Sequence, residues 1–276
     1  MKTLYVSDMD GTLLNSEGKL SKFTVNALNK LIDGGAYFTV ATARCMTSAV
    51  LLEPVHTKLM GIQLNGVLLY DFQSKKYVKS VPIEKQAAER IISIIQSYGR
   101  GFTMYYFNGG VNMVNTGFAN EYEKTFFVSV TKNDYKSTVL AKAPITDIDG
   151  DIIYFTMVDE YERLVGIYNE VVRLDGVTAI LYEDNYSHLY FLEIFSSNAG
   201  KEKAAVYLKN YYGADRLVAF GDNLNDITML KEADYALVTA NGNPTAKKYA
   251  DEVIASNDDD GVVKFILDDY KPLSET

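Results

Sequence analysis

Two carboxylates stand close together in Asp8-Met9-Asp10-Gly11-Thr12, directly after Leu4–Ser7, a short run that reads as a buried strand. Gly11 allows the chain to turn there, so that both acids can face one crevice. One can then serve as nucleophile and metal ligand and the other as proton donor. The plainer alternative is an Asp-rich turn closing a strand. The stretch lacks the later acidic positions of an EF-hand loop, which argues against calcium of that kind. A second acidic stretch, Gly221-Asp222-Asn223-Leu224-Asn225-Asp226, follows another strand-like run, Leu217–Phe220. Asp222 and Asp226 add carboxylate oxygens, which Mg²⁺ prefers, with water completing its octahedron. Here the alternative is a helix start capped by Asp or Asn. Thr42 and Arg44 follow a third strand-like run, in Ala41-Thr42-Ala43-Arg44, and Lys201 opens a helix in Asn198-Ala199-Gly200-Lys201. Taken singly, Thr42 is a strand-end hydroxyl and Lys201 a surface lysine. Taken together, a metal, a lysine and a hydroxyl are what the charge on a transferring phosphoryl group requires.

The elements that must position these residues follow from periodicity. Ser21–Asp33 reads as a helix: Ser21 can cap it, Val25, Leu28 and Ile32 share one side, and Gly34 and Gly35 end it. Tyr37–Ala41 is strand-like, which completes a strand–helix–strand start suited to a parallel sheet. The same alternation returns after Lys201, with a helix over Glu202–Tyr211 and strands at Leu217–Phe220, Tyr235–Val238 and Val253–Ala255. Short helices are expected over Asp226–Glu232 and Gly261–Asp268. Between Val81 and Tyr190 the pattern changes. Helices over Glu84–Tyr98 and Glu160–Arg173 are mixed with aromatic-rich strands at Phe102–Phe107, Asn112–Val114, Ile152–Val158 and Thr178–Tyr182. This is α+β rather than regular βα alternation, and it reads as a second domain inserted into the first. The run Asp258–Asp260 reads as a solvated turn before a helix.

The composition sets bounds on partners. The 276 residues are 47% hydrophobic and 23% charged, enough for a large core in one large or two smaller domains. The formal net charge of −9 disfavours non-specific binding to nucleic acid or an anionic membrane. An anionic substrate therefore needs a local positive site. The single cysteine, Cys45, excludes an intrachain disulfide. No secretory h-region and no bilayer-length apolar run is visible, so a cytoplasmic location and no membrane partner are expected.

The four stretches together resemble the haloacid dehalogenase superfamily of phosphatases, and more closely its Cof-type members with a class IIB cap. The order is that family's: Asp-Met-Asp-Gly-Thr-Leu, a threonine after the second strand, a lysine, then Gly-Asp-Asn-Leu-Asn-Asp. The resemblance implies an α/β fold, with a Rossmann-like doubly wound parallel-sheet core over residues 1–80 and 191–276 and an inserted α+β cap over 81–190. It also implies a Mg²⁺-dependent phosphatase acting on a small phosphorylated metabolite, a sugar phosphate above others. By its motifs Asp8 matches the nucleophile that becomes phospho-aspartate, and Asp10 the acid/base. Mg²⁺ would lie on Asp8, the carbonyl of Asp10 and Asp222, with Asp226 as ligand or close support. Thr42 and Lys201 match the groups that hold the phosphoryl oxygens. Arg44, Asn65 and Asn225 match substrate contacts, and Asn243 a structural position. The implied assembly is a monomer or homodimer.

Ala43 and Glu202 depart from the family, which often has glycine at both places. They put efficiency and substrate in question, not reaction class. The cap aromatics Tyr105, Tyr106 and Phe107 read first as the cap's own core, His188 as a surface or satisfied histidine, and Cys45 as a buried thiol. Two other outcomes remain open: a phosphosugar mutase, which returns the phosphate to its substrate, and a non-catalytic regulator that binds a phosphometabolite. A dehalogenase would not need Asp10. A receiver domain would be far shorter.

Overall fold

Along β1 (Thr3–Ser7), Leu4 and Val6 pack into one apolar cluster and Tyr5 into another, so the strand is buried on both faces. Such burial belongs to a parallel sheet between two helical layers. The computed structural model describes residues 1–131, 136–139, 148–184 and 187–272. After β1 come α1 (Lys22–Asp33), β2 (Tyr37–Val40), α2 (Met46–Leu51), β3 (Met60–Gln63), β4 (Leu68–Asp71) and β5 (Lys76–Ser80). Next are α3 (Lys85–Ser97), β6 (Thr103–Phe107), β7 (Val111–Asn115), α4 (Glu121–Thr131), β8 (Lys136–Val139), β9 (Asp151–Asp159), α5 (Tyr161–Val171), β10 (Val177–Glu183) and β11 (Tyr190–Ser196). The chain finishes with α6 (Lys201–Tyr211), β12 (Arg216–Gly221), α7 (Ile227–Glu232), β13 (Tyr235–Thr239), β14 (Glu252–Ile254) and α8 (Gly261–Asp269).

Contacts divide the chain into two units, Met1–Lys79 with Gly200–Thr276, and Ser80–Ala199. In the first unit the strands are parallel, in the order β14-β13-β12-β1-β2. Tyr5, Phe38, Val218 and Phe220 pack against Leu28 and Ile32 of α1 and Val263 and Ile266 of α8. Leu4, Val6, Leu217 and Ala219 pack on the other side against Ala205 and Leu208 of α6 and Met229 and Leu230 of α7. Helices cover both faces, and the fold is the Rossmann-like α/β core expected. Strand order reverses about β1, where open sheets of this kind form their binding crevice. Ser21 caps α1 through the Thr24 amide at 2.9 Å, and its own hydroxyl donates to Asp260, which also accepts from Thr24. The acidic run before α8 is thus a structural joint to α1.

The second unit is built on a sheet of order β10-β11-β9-β6-β7-β8. Its pairs are antiparallel apart from β7 with β8. Ile91 and Ile95 of α3 and Leu164, Ile167 and Val171 of α5 cover one face, against Met104, Phe155, Leu192 and Ile194. Arg100, with its side chain only 9% exposed, ties α4 to β9: its guanidinium donates to Glu123 and to the Val158 carbonyl, and lies 3.2 Å from Asp159. The expected return to the core at residue 191 is corrected here. β11 pairs with both β9 and β10, and Leu192 and Ile194 complete this unit's core, so the return falls between Ala199 and Gly200. Tyr105 packs edge-on against Tyr154 and is buried, in keeping with a core role, while His188 is largely exposed beside Glu183. No helix among the described residues is long and apolar enough to cross a membrane.

One turn of the first unit depends on a missing side chain. Gly66 has φ +91°, and a Cβ there would lie 2.1 Å from the carbonyl oxygen of Gly200, the residue before α6. Backbone cannot yield as a flexible side chain can. Gly66→Ala is expected to destabilise the protein by more than about 2 kcal/mol, read from the urea midpoint, through strain and displacement of α6. An unchanged midpoint would contradict that approach.

Candidate active site

The sequence stretches meet because their strands end side by side. The amide of Asp8 donates to Phe220 O at 2.9 Å, and that of Ala41 to Ser7 O at 2.8 Å. The carboxyl ends of β12, β1 and β2 are thereby aligned; Asp222 and Asp8 follow their strands directly, and Thr42 comes after Ala41 at the end of β2. Gly11, at φ +77°, turns the chain away after Asp10, and a Cβ there would lie 2.3 Å from Asp222 Oδ2. The acidic residue and the turn are shaped to each other.

α6 delivers Lys201 to the centre. Its Nζ lies 2.6 Å from Asp8 Oδ1 and 2.7 Å from Asp226 Oδ1, with the lysine only 1% exposed. Asp226, fully buried, accepts the amides of Asp222 and Asn223 on its other oxygen, both at 3.0 Å. Asp222 Oδ1 accepts the Thr12 hydroxyl at 2.9 Å. Oxygens of Asp8, Asp222 and Asp226 all lie within 4.8 Å of one another. Three buried carboxylates against one ammonium leave surplus negative charge, which a divalent cation with hard oxygen ligands would offset. The donor set therefore fits Mg²⁺.

Protonation follows from this crowding. Burial pushes the Asp8 carboxyl well up; Lys201 pulls it down, and Asp226, Asp222 and Asp10 push it further up. Burial, and then the charge of Asp226, raise Asp222 to about 7, against the Thr12 hydrogen bond. For Lys201, burial alone would lower the ammonium's pKa; Asp226 and Asp8 outweigh it and hold the group above its ordinary range.

The remaining expected residues form a second tier. Arg44 grips Asp10 with a two-pronged ion pair, Nε to Oδ2 and Nη2 to Oδ1, each 2.6 Å, and both side chains are about one-third exposed. The Thr42 hydroxyl accepts the Arg44 amide at 3.0 Å, and its carbonyl accepts the Asn65 amide at 3.0 Å. Asn65 is buried in a left-handed turn, with φ 51°. Asn225 is half-buried in the turn after β12. Asn243 donates its amide to Asp222 O at 2.7 Å, a bracing contact.

Sequence reasoning assigned no role to Thr12, Thr239 or Asn241. The last two donate to Gly11 O at 3.2 and 2.8 Å and fix the turn after Asp10. Thr12 stood inside the first acidic stretch and was within reach of the argument. Asn241 lies in a plain polar loop and carries no sequence signal.

This chain belongs to the haloacid dehalogenase-like hydrolase family, whose description matches residues 5–266. It is an enzyme of the phosphatase class within that family. It is 22% identical to the 5-amino-6-(5-phospho-D-ribitylamino)uracil phosphatase of Bacillus subtilis, over 95% of this chain and 96% of that one. It is 24% identical to a second Bacillus subtilis phosphatase, over 94% and 96%. The fold is shared with a haloacid dehalogenase-like hydrolase from Bacteroides thetaiotaomicron, at TM-score 0.79 and 21% identity, covering 98% of this chain and 100% of that one. A Thermotoga maritima structure gives TM-score 0.77 and 23% identity, covering 98% of each chain.

The raised Asp222 carboxyl has a measurable consequence. Between 3.8 and about 7 the folded protein holds a proton that the unfolded chain has lost, so this group's contribution to stability declines as pH rises through that window. Thermal unfolding in chelator is expected to show Tm falling from about pH 5 to about pH 8, with a smaller fall in Asp222→Asn. An equal slope in both proteins would refute the assignment.

Proposed function

We propose that the protein hydrolyses phosphate monoesters of small soluble metabolites, sugar phosphates above others, through a phospho-aspartate on Asp8. The observation that carries this reading is the buried bridge from Lys201 to Asp8 and Asp226 beside Asp222. With one Asp8 oxygen held by the lysine, the other is left to attack phosphorus. The new Oδ–P bond forms as the ester P–O bond breaks, and the leaving oxygen takes a proton from Asp10. Asp10 then accepts a proton from water as that water attacks phosphorus, the Oδ–P bond breaks, and inorganic phosphate leaves. Splitting the reaction replaces one difficult displacement by two easier ones.

Asp8, Asp222 and the carbonyl of Asp10 would hold Mg²⁺, which when bound supplies positive charge against the phosphoryl oxygens. Both oxygens of Asp226 are engaged, one by Lys201 and one by two backbone amides. This supports a positioning role rather than direct ligation. Thr42 and Lys201 would hold the phosphoryl oxygens, with Asn65 and Asn225 nearby. The Arg44–Asp10 pair must open before Asp10 can reach a leaving group. An incoming phosphate is a good acceptor for the guanidinium fork and can draw it away, which supports Arg44 as a substrate contact.

The test is hydrolysis of p-nitrophenyl phosphate. Turnover is expected to need Mg²⁺, to cease in chelator, and to vanish in Asp8→Asn. Wild-type rates in Asp8→Asn would sink the proposal. Asp10→Asn is expected to slow turnover of an alkyl phosphate by about two orders of magnitude or more, the range of general acid–base catalysis. A loss under threefold would remove Asp10 from that role. A panel of phosphometabolites, opening with the compound named for the first Bacillus subtilis relative, identifies the substrate. Return of phosphate to a sugar, rather than its release, would indicate a mutase.

A further inference from the structure

A cleft of about 400 Å³ in the second unit is lined by Arg90, Ser93, Ile94, Glu170, Arg173 and Leu174. Arg90, Ser93 and Ile94 stand at i, i+3 and i+4 on α3 and so share one helix face. Arg173 and Leu174 follow Val172, the residue that caps the end of α5. Among the described residues, neither Arg90 nor Arg173 has an ion pair or a side-chain hydrogen bond. Glu170 lines the same cleft but accepts the Tyr98 hydroxyl at 2.6 Å and pairs with neither arginine. Two guanidinium charges thus face one carboxylate and the carbonyl end of α5, which counts for about half a negative charge. The balance stays positive, in a chain whose net charge is −9.

We propose that this cleft binds a small phosphate-bearing anion. A guanidinium fork matches two phosphate oxygens at once, and here one arginine from α3 and one from the turn after α5 line the same recess. Ser93 offers a hydroxyl donor on the Arg90 face, and the half-buried Ile94 and Leu174 supply an apolar side. None of these residues belongs to the Asp8 cluster, so the proposal does not depend on the catalytic reading. The same chemistry would recognise free inorganic phosphate or the phosphate group of an organic molecule.

The full-length protein is titrated with inorganic phosphate and, separately, with phenylphosphonate, and followed by nuclear magnetic resonance. Signals of Arg90, Ser93 and Arg173 are expected to shift saturably in the millimolar range with at least one probe. The tighter probe identifies the source of the group. In Arg90→Gln/Arg173→Gln, affinity read at the Ser93 signal should fall about tenfold or more, the loss expected for a charged hydrogen-bond pair. Shifts at Asp8 and Asp222 should persist in that variant. Both arginines are exposed, so equal unfolding midpoints should show that the fold is retained. Shifts confined to the Asp8 cluster, shifts that never saturate, or unchanged affinity in the double variant would each overturn the proposal. p-Nitrophenyl phosphate turnover by the same variant separates this outcome from failure of the catalytic reading.

Discussion

An ammonium group buried to 1% exposure must be paired, and in this protein the requirement governs the first unit. Lys201 reaches Asp8 at the end of β1 and Asp226 in the turn after β12. Neither contact is possible unless β1 and β12 are neighbours and α6 packs on their common face. The apolar layer of Ala204, Ala205 and Leu208 against Leu4, Val6, Leu217 and Ala219 provides that placement. Removing one acid would leave the buried lysine half-paired, and removing the lysine would leave the carboxylates unopposed. Fold and charge are therefore mutually dependent, and the charge set is not balanced within the protein itself.

Much of this was legible in the sequence because the chemistry sits at strand ends. Asp8, Thr42 and Asp222 each follow a short apolar run, and the alternation of strand and helix around them implies a parallel sheet with a common carboxyl edge. Lys201 was harder to place. As a lone lysine at a helix start it reads as a surface residue, and only the joint pattern favoured a place among the acids; its burial is visible in the structure alone. The domain return was misplaced by nine residues, from 190 to 199, because Tyr190–Ser196 is a good buried strand with no local mark of the sheet it joins. Its partners β9 and β10 decide that through register, a long-range property. Thr239 and Asn241 were missed for a similar reason: a hydrogen bond to Gly11 O spans more than two hundred residues and leaves no local spacing.

The two acids of the first stretch lie in different surroundings. Asp8 is buried and crowded by like charge, whereas Asp10 is partly exposed and held by Arg44. Two carboxylates two positions apart thus occupy opposite electrostatic settings, the separation that lets neighbouring acids perform different tasks. Thr42 links the two settings, since it supports the Arg44 backbone while lying at the end of the strand next to β1.

The lack of room at Gly11 has an implication for how this chain can vary. A side-chain carbon there would meet the Asp222 carboxylate before meeting any backbone atom. The first casualty of a larger residue would be the orientation of a charged group, while the strands beneath keep their own packing. A chain with a larger residue at position 11 is therefore expected to lose the orientation of its Asp222 carboxylate before it loses its architecture.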